Sequence, residues 1–206
     1  YKIRSKVEIK DLSSSYVVGV IDFENFKNIQ KELGKQETTF EFRDSPIFVD
    51  PRDNDLGARI ISPLEKLYLT LKKLNLKIVE NKSYLEKAFF KGIPIEGLNN
   101  LQNQLFGLEI NFEKLNAIDF KKGCYIGQEN TARMKLKNKI RRQLMSIKTE
   151  KNVKIGDEIK YNDSVIGRIL IDKPYPFALI KLFDPEFSVF KDKKLKINSN
   201  NVEIIS

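Results

Sequence analysis

The run KKGCYIGQENTARMK, residues 121–135, holds the only cysteine of a 206-residue chain that contains no histidine. A thiolate is the nucleophile and soft-metal ligand that such a stretch can offer. Gly123 and Gly127 admit backbone conformations that a Cβ hinders, so the chain between them can turn tightly and bring main-chain N–H groups toward a ligand. The lysines at 121 and 122, and the start of a short helix between Gly127 and Arg133, would favour thiolate over thiol at Cys124. The competing reading is that a lone cysteine is a small buried hydrophobe, and spacing by itself leaves both open.

The rest of the composition narrows the chemistry. One thiol forms neither an internal disulfide nor a Cys-x-x-Cys metal site, and a chain without histidine has no imidazole acid-base chemistry and little scope for zinc hydrolysis. No resident metal site is expected, and a reducing compartment fits: the cytoplasm, or the mitochondrial matrix in a eukaryote. With 41% hydrophobic and 32% charged residues the sequence reads as soluble and globular. No run approaches the roughly 20 apolar residues that span a bilayer. The chain opens on Tyr1, without methionine and directly in strand-like sequence. That suggests a cut or processed piece of a longer protein.

The formal charge of +9 invites a nucleic-acid partner. Lysine is spread through nearly every segment, however, and no arginine-glycine tract or aromatic RNA-binding string accompanies it, so nucleic acid is not the expected partner. The local imbalance is sharper: from Arg133 to Lys148 there are seven basic side chains and no acidic one. If extended, Lys135, Lys137, Lys139 and Arg141 form one face of a strand and Met134, Leu136 and Ile140 the other. That face is either solvated or receives an acidic partner or a polyanionic ligand tail.

The elements that must position these residues follow from periodicity. YVVGVID (16–22) reads as a strand, with Asp22 capping a helix whose Phe26, Ile29 and Leu33 share a face before Gly34 ends it. TTFEF and PIFVD read as paired strands around a turn at Arg43 and Asp44. Ser62-Pro63-Leu64-Glu65 has the form of a capping box, and its helix places Leu64, Leu67, Tyr68, Leu71 and Leu74 at core spacing. A second box is expected at Ser83 to Glu86. After residue 140, five or six short strands separated by polar turns predict a small β-barrel. The expected organisation is an α+β region over 1–140 and a barrel over 141–206.

Lys122-Gly123-Cys124-Tyr125-Ile126-Gly127-Gln128-Glu129, followed by Thr131-Ala132-Arg133, resembles the K-G-C-[FY]-x-G-Q-E signature of the YgfZ family, folate-binding relatives of the glycine cleavage T protein. Further pieces stand in the family's order: Tyr1 to Val7, Asp50-Pro51-Arg52, Leu56-Gly57-Ala58-Arg59, Gly92-Ile93-Pro94, and the stretch Leu105 to Phe112. The resemblance implies T-protein-like folate-binding α+β domains followed by a C-terminal barrel, in a chain lacking the N-terminal part of the family fold. It implies tetrahydrofolate as cofactor and a role in assembly or repair of 4Fe-4S enzymes, with iron-sulfur assembly proteins or client enzymes as partners. Cys124 carries over as the leading functional residue, with Lys122, Tyr125, Gln128, Glu129 and Arg133 as its motif neighbours. Glu109 is the candidate acceptor for the pterin ring, since a carboxylate can take two adjacent ring donors. The alternative within this resemblance is a true aminomethyltransferase, and whether the chain is itself an enzyme stays open.

Overall fold

Asp22 sets the first corner of the structure. It follows β1 (Val17–Ile21), and its side chain accepts from the Asn25 amide at 2.9 Å, capping α1 (Phe23–Glu32) as the sequence predicts. Phe26 and Ile29 of that helix are buried, and Gly34 at φ 62° turns the chain away. A computed structural model describes residues 6–123, 127–137 and 140–205. The chain divides into two compact units, Tyr1–Val79 and Glu80–Ser206.

In the first unit, β2 (Thr39–Phe42) and β3 (Ser45–Val49) form a hairpin whose two linking residues, Arg43 and Asp44, both have positive φ. That is the backbone of a tight hairpin turn whose twist matches the strands. β4 (Ala58–Ser62) completes an antiparallel sheet in the order β1-β4-β3-β2. Phe26 stacks on Phe40 at 5.7 Å, over a core of Ile21, Ile29, Ile47 and Ile60. Each such side chain contributes about 1.5–3 kcal/mol by leaving water.

α2 (Leu64–Lys73) packs more selectively than its apolar stripe suggests. Leu67 and Leu74 meet the core and Thr70 is buried, whereas Leu64 and Tyr68 are 67% and 66% exposed. The buried face is therefore centred on 67, 70 and 74, with Leu67 brought in over Gly19, where a Cβ would lie 3.7 Å from its Cδ1. The expected capping box does not form. Ser62 still belongs to β4, where its buried hydroxyl accepts from Ser45 at 2.8 Å, and Pro63 caps the helix without a side-chain bond. The second box fails for a different reason: α3 (Lys82–Phe90) starts at Lys82, so Ser83 already lies inside its first turn.

The hairpin-to-β4 crossing is held by a buried carboxylate. Asp50, 2% exposed, accepts from the Arg52 backbone amide (3.0 Å), Nε (2.9 Å) and Nη2 (2.7 Å), and from Arg59 Nε at 3.1 Å. Its own amide donates to the Gly57 carbonyl at 2.8 Å. Gly57 has φ 82°, and a Cβ there would lie 2.0 Å from the Ile21 carbonyl oxygen, so only glycine fits.

The second unit is built on the barrel: β5 (Arg142–Thr149), β6 (Glu158–Tyr161), β7 (Ser164–Ile171), β8 (Phe177–Lys181), β9 (Leu195–Ile197) and β10 (Asn200–Ile204). α4 (Gln128–Leu136) precedes these strands and α5 (Phe187–Phe190) links β8 to β9. The strands close in the order β10-β5-β8-β7-β6-β9, as the sequence predicts for the tail. Ile147, Ile159, Ile166, Ile169, Ile180 and Leu195 fill the interior. The two residues linking β6 to β7, Asn162 and Asp163, again carry positive φ.

Leu144, Leu170, Phe177 and Leu179 are also buried, in a cluster with Phe89 of α3 and Leu101. Strands covered on both faces explain the near-continuous apolar runs LMSI and FALI. They also explain why the compact unit containing the barrel reaches back to Glu80, although the change of sequence character falls near 140. Residues 128–136 are helical, so the strand-like alternation is overridden at Met134, Lys135 and Leu136, while Lys139 lies outside the described residues. Among the described residues no helix is long and apolar enough to cross a membrane.

Burial pushes the Asp50 carboxyl up, but the hydrogen bonds from Arg52 and the charges of Arg52 and Arg59 outweigh it and hold the group below its ordinary 3.8. A depressed folded-state value means that stability is present above the unfolded value, near 4, and is lost as pH falls through the folded one. Asp50→Asn is expected to cost about 3 kcal/mol at pH 7 in urea unfolding. The gap to wild type should narrow steadily below about pH 4.

Candidate functional site

The segment before the cysteine motif is irregular, and its placement rests on Glu109. The carboxylate is 4% exposed. Oε1 accepts from Arg142 Nε at 3.0 Å and lies 2.9 Å from Nη2, while Oε2 accepts from the Phe106 amide at 3.1 Å and from Nη2 at 3.3 Å. The Glu109 carbonyl accepts from the Leu144 amide at 2.7 Å. Both the side chain and the backbone of Glu109 thus fasten this segment to β5.

Asn111 extends the junction. It sits at φ 64°, a left-handed conformation that asparagine tolerates well, and its Nδ2 donates to the Leu144 carbonyl at 3.0 Å. Its Oδ1 accepts from Gln143 Nε2. Glu109 and Asn111 are thereby bound to Arg142, Gln143 and Leu144 through side-chain and main-chain bonds.

Further along, Lys135 near the end of α4 contacts both carboxylate oxygens of Glu113, at 2.5 and 2.7 Å, and lies 5.6 Å from the centre of the Phe120 ring. Both charges are about half exposed, so the pair contributes at most about 1 kcal/mol. It nevertheless joins two points in the chain that bracket the cysteine motif.

The sequence-predicted residues fall into separate groups. Cys124 and Tyr125 lie outside the described residues. Gln128, Glu129 and Arg133 share α4, whose cap is Gly127 at φ 89°, a conformation that suits glycine. Gln128 is half-buried, Glu129 and Arg133 are exposed, and Lys122 is exposed on the other side of the motif. Glu109 bonds to Phe106, Arg142 and Leu144 and to none of the other predicted residues.

A pterin would need an open acceptor at Glu109. The two oxygens already receive a guanidinium fork and a backbone N–H, which assigns Glu109 a role within the fold. Sequence reading missed Arg142, Asn111, Gln143 and Glu113, and put Lys135 on a basic strand face without naming its partner. The one signal for Arg142 was its position in the acid-free basic run; nothing local named its partner. Among the described residues there is no group of three or more His, Cys, Asp or Glu side chains that could hold a metal ion.

No protein-family model matches the chain. The mitochondrial iron-sulfur cluster assembly factor IBA57 homolog of Dictyostelium discoideum is 30% identical over 166 residues, which cover 77% of this chain and 40% of that protein. The tRNA-modifying protein YgfZ of Buchnera aphidicola subsp. Schizaphis graminum is 32% identical over 174 residues, 78% of this chain and 52% of that protein. Among solved structures, the glycine cleavage system aminomethyltransferase T from Bartonella henselae has a similar fold, with a TM-score of 0.57 at 14% identity over 87% of this chain and 55% of that one. At that identity the likeness concerns the fold alone. The chain thus spans about half, or less, of the length of these proteins, and with more than three quarters of its own residues aligned to them at about 30% identity it is a homologue of the YgfZ and IBA57 proteins.

Proposed function

We propose that the chain is part of an iron-sulfur cluster assembly or maturation factor in which Cys124 is the working group. The observation that carries this reading is the unbroken run Lys122 to Glu129, which places the only thiol of the chain inside the family signature. The names of the relatives, iron-sulfur cluster assembly factors among them, support it. So does the chemistry of the surroundings. Lys122 is two residues away, and the positive end of α4 begins at Gln128, both of which favour a thiolate; Glu129 in the first turn offsets part of that field.

One thiolate cannot hold a cubane cluster, which ordinarily takes four. A cluster is therefore cargo, ligated by Cys124 together with groups of a partner, either an assembly protein or a client enzyme. Tetrahydrofolate enters the proposal through the motif and the T-protein-like fold. When bound, it supplies one-carbon carrying capacity or a binding signal to the whole protein. Glu109 and Arg142 hold the segment before the motif and have no assigned contact with it. The compartment proposed is a reducing one, the mitochondrial matrix in a eukaryote and the cytoplasm in a bacterium.

The second reading is an aminomethyltransferase of glycine cleavage, favoured by the fold of the Bartonella protein. Such an enzyme orients an aminomethyl-lipoyl group and tetrahydrofolate and assists proton transfer with a carboxylate. Release of ammonia from an aminomethyl-lipoyl substrate by the full-length protein would establish it.

The test that separates the two is Cys124→Ser in the full-length parent protein in its own cell. Activity of a 4Fe-4S enzyme is expected to fall at least several-fold while glycine cleavage holds. Loss of glycine cleavage alone would make the chain part of a T protein, and no loss in either would reduce Cys124 to a packing residue.

A further inference from the structure

α4 has little of its own to hold it in place. A helix of nine residues is marginal in isolation, its N-cap Gly127 makes no side-chain capping bond, and none of its residues is buried. Gln128, Thr131, Ala132 and Met134 are half-buried, and Leu136 is 86% exposed. Such a helix takes its position from specific tertiary contacts, and Lys135 makes two of them.

The partner of Lys135 is itself anchored. Glu113 belongs to a turn closed by three backbone bonds, from the Leu115 amide to the Asn111 carbonyl at 2.9 Å, from Asn116 to Glu113 at 3.1 Å and from Ala117 to Phe112 at 2.7 Å. Asn111 fastens that turn to β5 through Leu144 and Gln143. Lys135 then donates to both oxygens of Glu113 and lies 5.6 Å from the centre of the Phe120 ring, within cation–π range. Phe120 stands on the arm of the chain that enters the cysteine motif, and α4 is the arm that leaves it. One side chain therefore meets both arms and ties them to a turn held by the barrel wall.

We propose that Lys135 is a positioning residue for the cysteine segment: clamped by Glu113 and Phe120, it fixes α4 and with it the Gly127 end of the segment that carries Cys124. The proposal rests on the reading of Cys124 as the working group, and it assigns control of where that thiol is presented to a side chain two residues beyond the signature. Both members of the ion pair are about half exposed, so the clamp shifts an equilibrium between held and released α4 by about two- to fivefold. Arg133 and Lys137 carry the same charge on or beside the same helix but are exposed, and neither lies at the Glu113 contact.

The only thiol of the chain accepts a nitroxide label, whose electron paramagnetic resonance spectrum reads motion at Cys124 without any iron-sulfur chemistry. In the intact 206-residue chain, Lys135→Met and Glu113→Gln are each expected to raise the mobile component of that spectrum about two- to fivefold and to quicken amide hydrogen exchange along α4 by a like factor. Lys135→Arg, which keeps the charge, should retain the wild-type spectrum, and Lys137→Met, which removes one charge beside the same helix, should leave it unchanged. Amides of β7 and β8 should exchange as in the wild type, which separates a lost clamp from a lost fold. Unchanged label motion in Lys135→Met, or an equal rise in Lys137→Met, would overturn the proposal. The working role of the thiol fails by a different result, undiminished 4Fe-4S enzyme activity with Cys124→Ser in the full-length parent, so the two readings fall separately.

Discussion

A buried carboxylate answered by an arginine organises the approach to the cysteine motif. Glu109 sits at 4% exposure, where an unpaired charge would be costly, and Arg142 meets it from the first residue of β5. Because the same residue also gives its carbonyl to Leu144, the pair and the backbone bond act together as a hinge pin between an irregular segment and a rigid barrel wall. The Asn111 contacts with Gln143 and Leu144 lie directly beside that attachment. The motif begins a dozen residues further on, so the geometry available to it is inherited from this attachment.

The first unit repeats the solution. Asp50 is buried and held by Arg52 and Arg59, and the bonds around it fix the loop that Gly57 permits. Both carboxylates sit in positions that a family resemblance marks, the D-P-R and L-E stretches. In both, the structure gives the acid an intramolecular arginine. A buried acid in a basic chain is thus as consistent with holding loops in place as with meeting a ligand.

What the sequence disclosed and what it hid divide by range. The Asp22 cap, the Gly34 stop and the hairpin turn at 43–44 are settled by residues within a few positions of one another, and all were legible. The barrel was legible because six short apolar runs with polar turns have few other ways to cover their edges. The first capping box misled because a buried hydroxyl contact, Ser45 to Ser62 across 17 residues, outcompeted a local cap, and the second because its helix already begins at Lys82. The faces of α2 misled because the sheet, not the helix, decides which leucines are covered. Glu109 to Arg142 spans 33 residues and Lys135 to Glu113 spans 22, and no local pattern names such partners. For Cys124 the signal was the motif itself, and the residue lies outside the described part of the chain.

The claim that Glu109 belongs to the fold is tested most directly by a double-mutant cycle of Glu109→Gln and Arg142→Met, read by urea unfolding of the intact chain at pH 7. The account predicts that Glu109→Gln destabilises clearly and that the two changes are non-additive by about 1–2 kcal/mol, as for residues in direct contact. Additive changes with little loss from Glu109→Gln, accompanied by a collapse of tetrahydrofolate affinity in the full-length parent carrying the same substitution, would contradict it and return the carboxylate to the ligand.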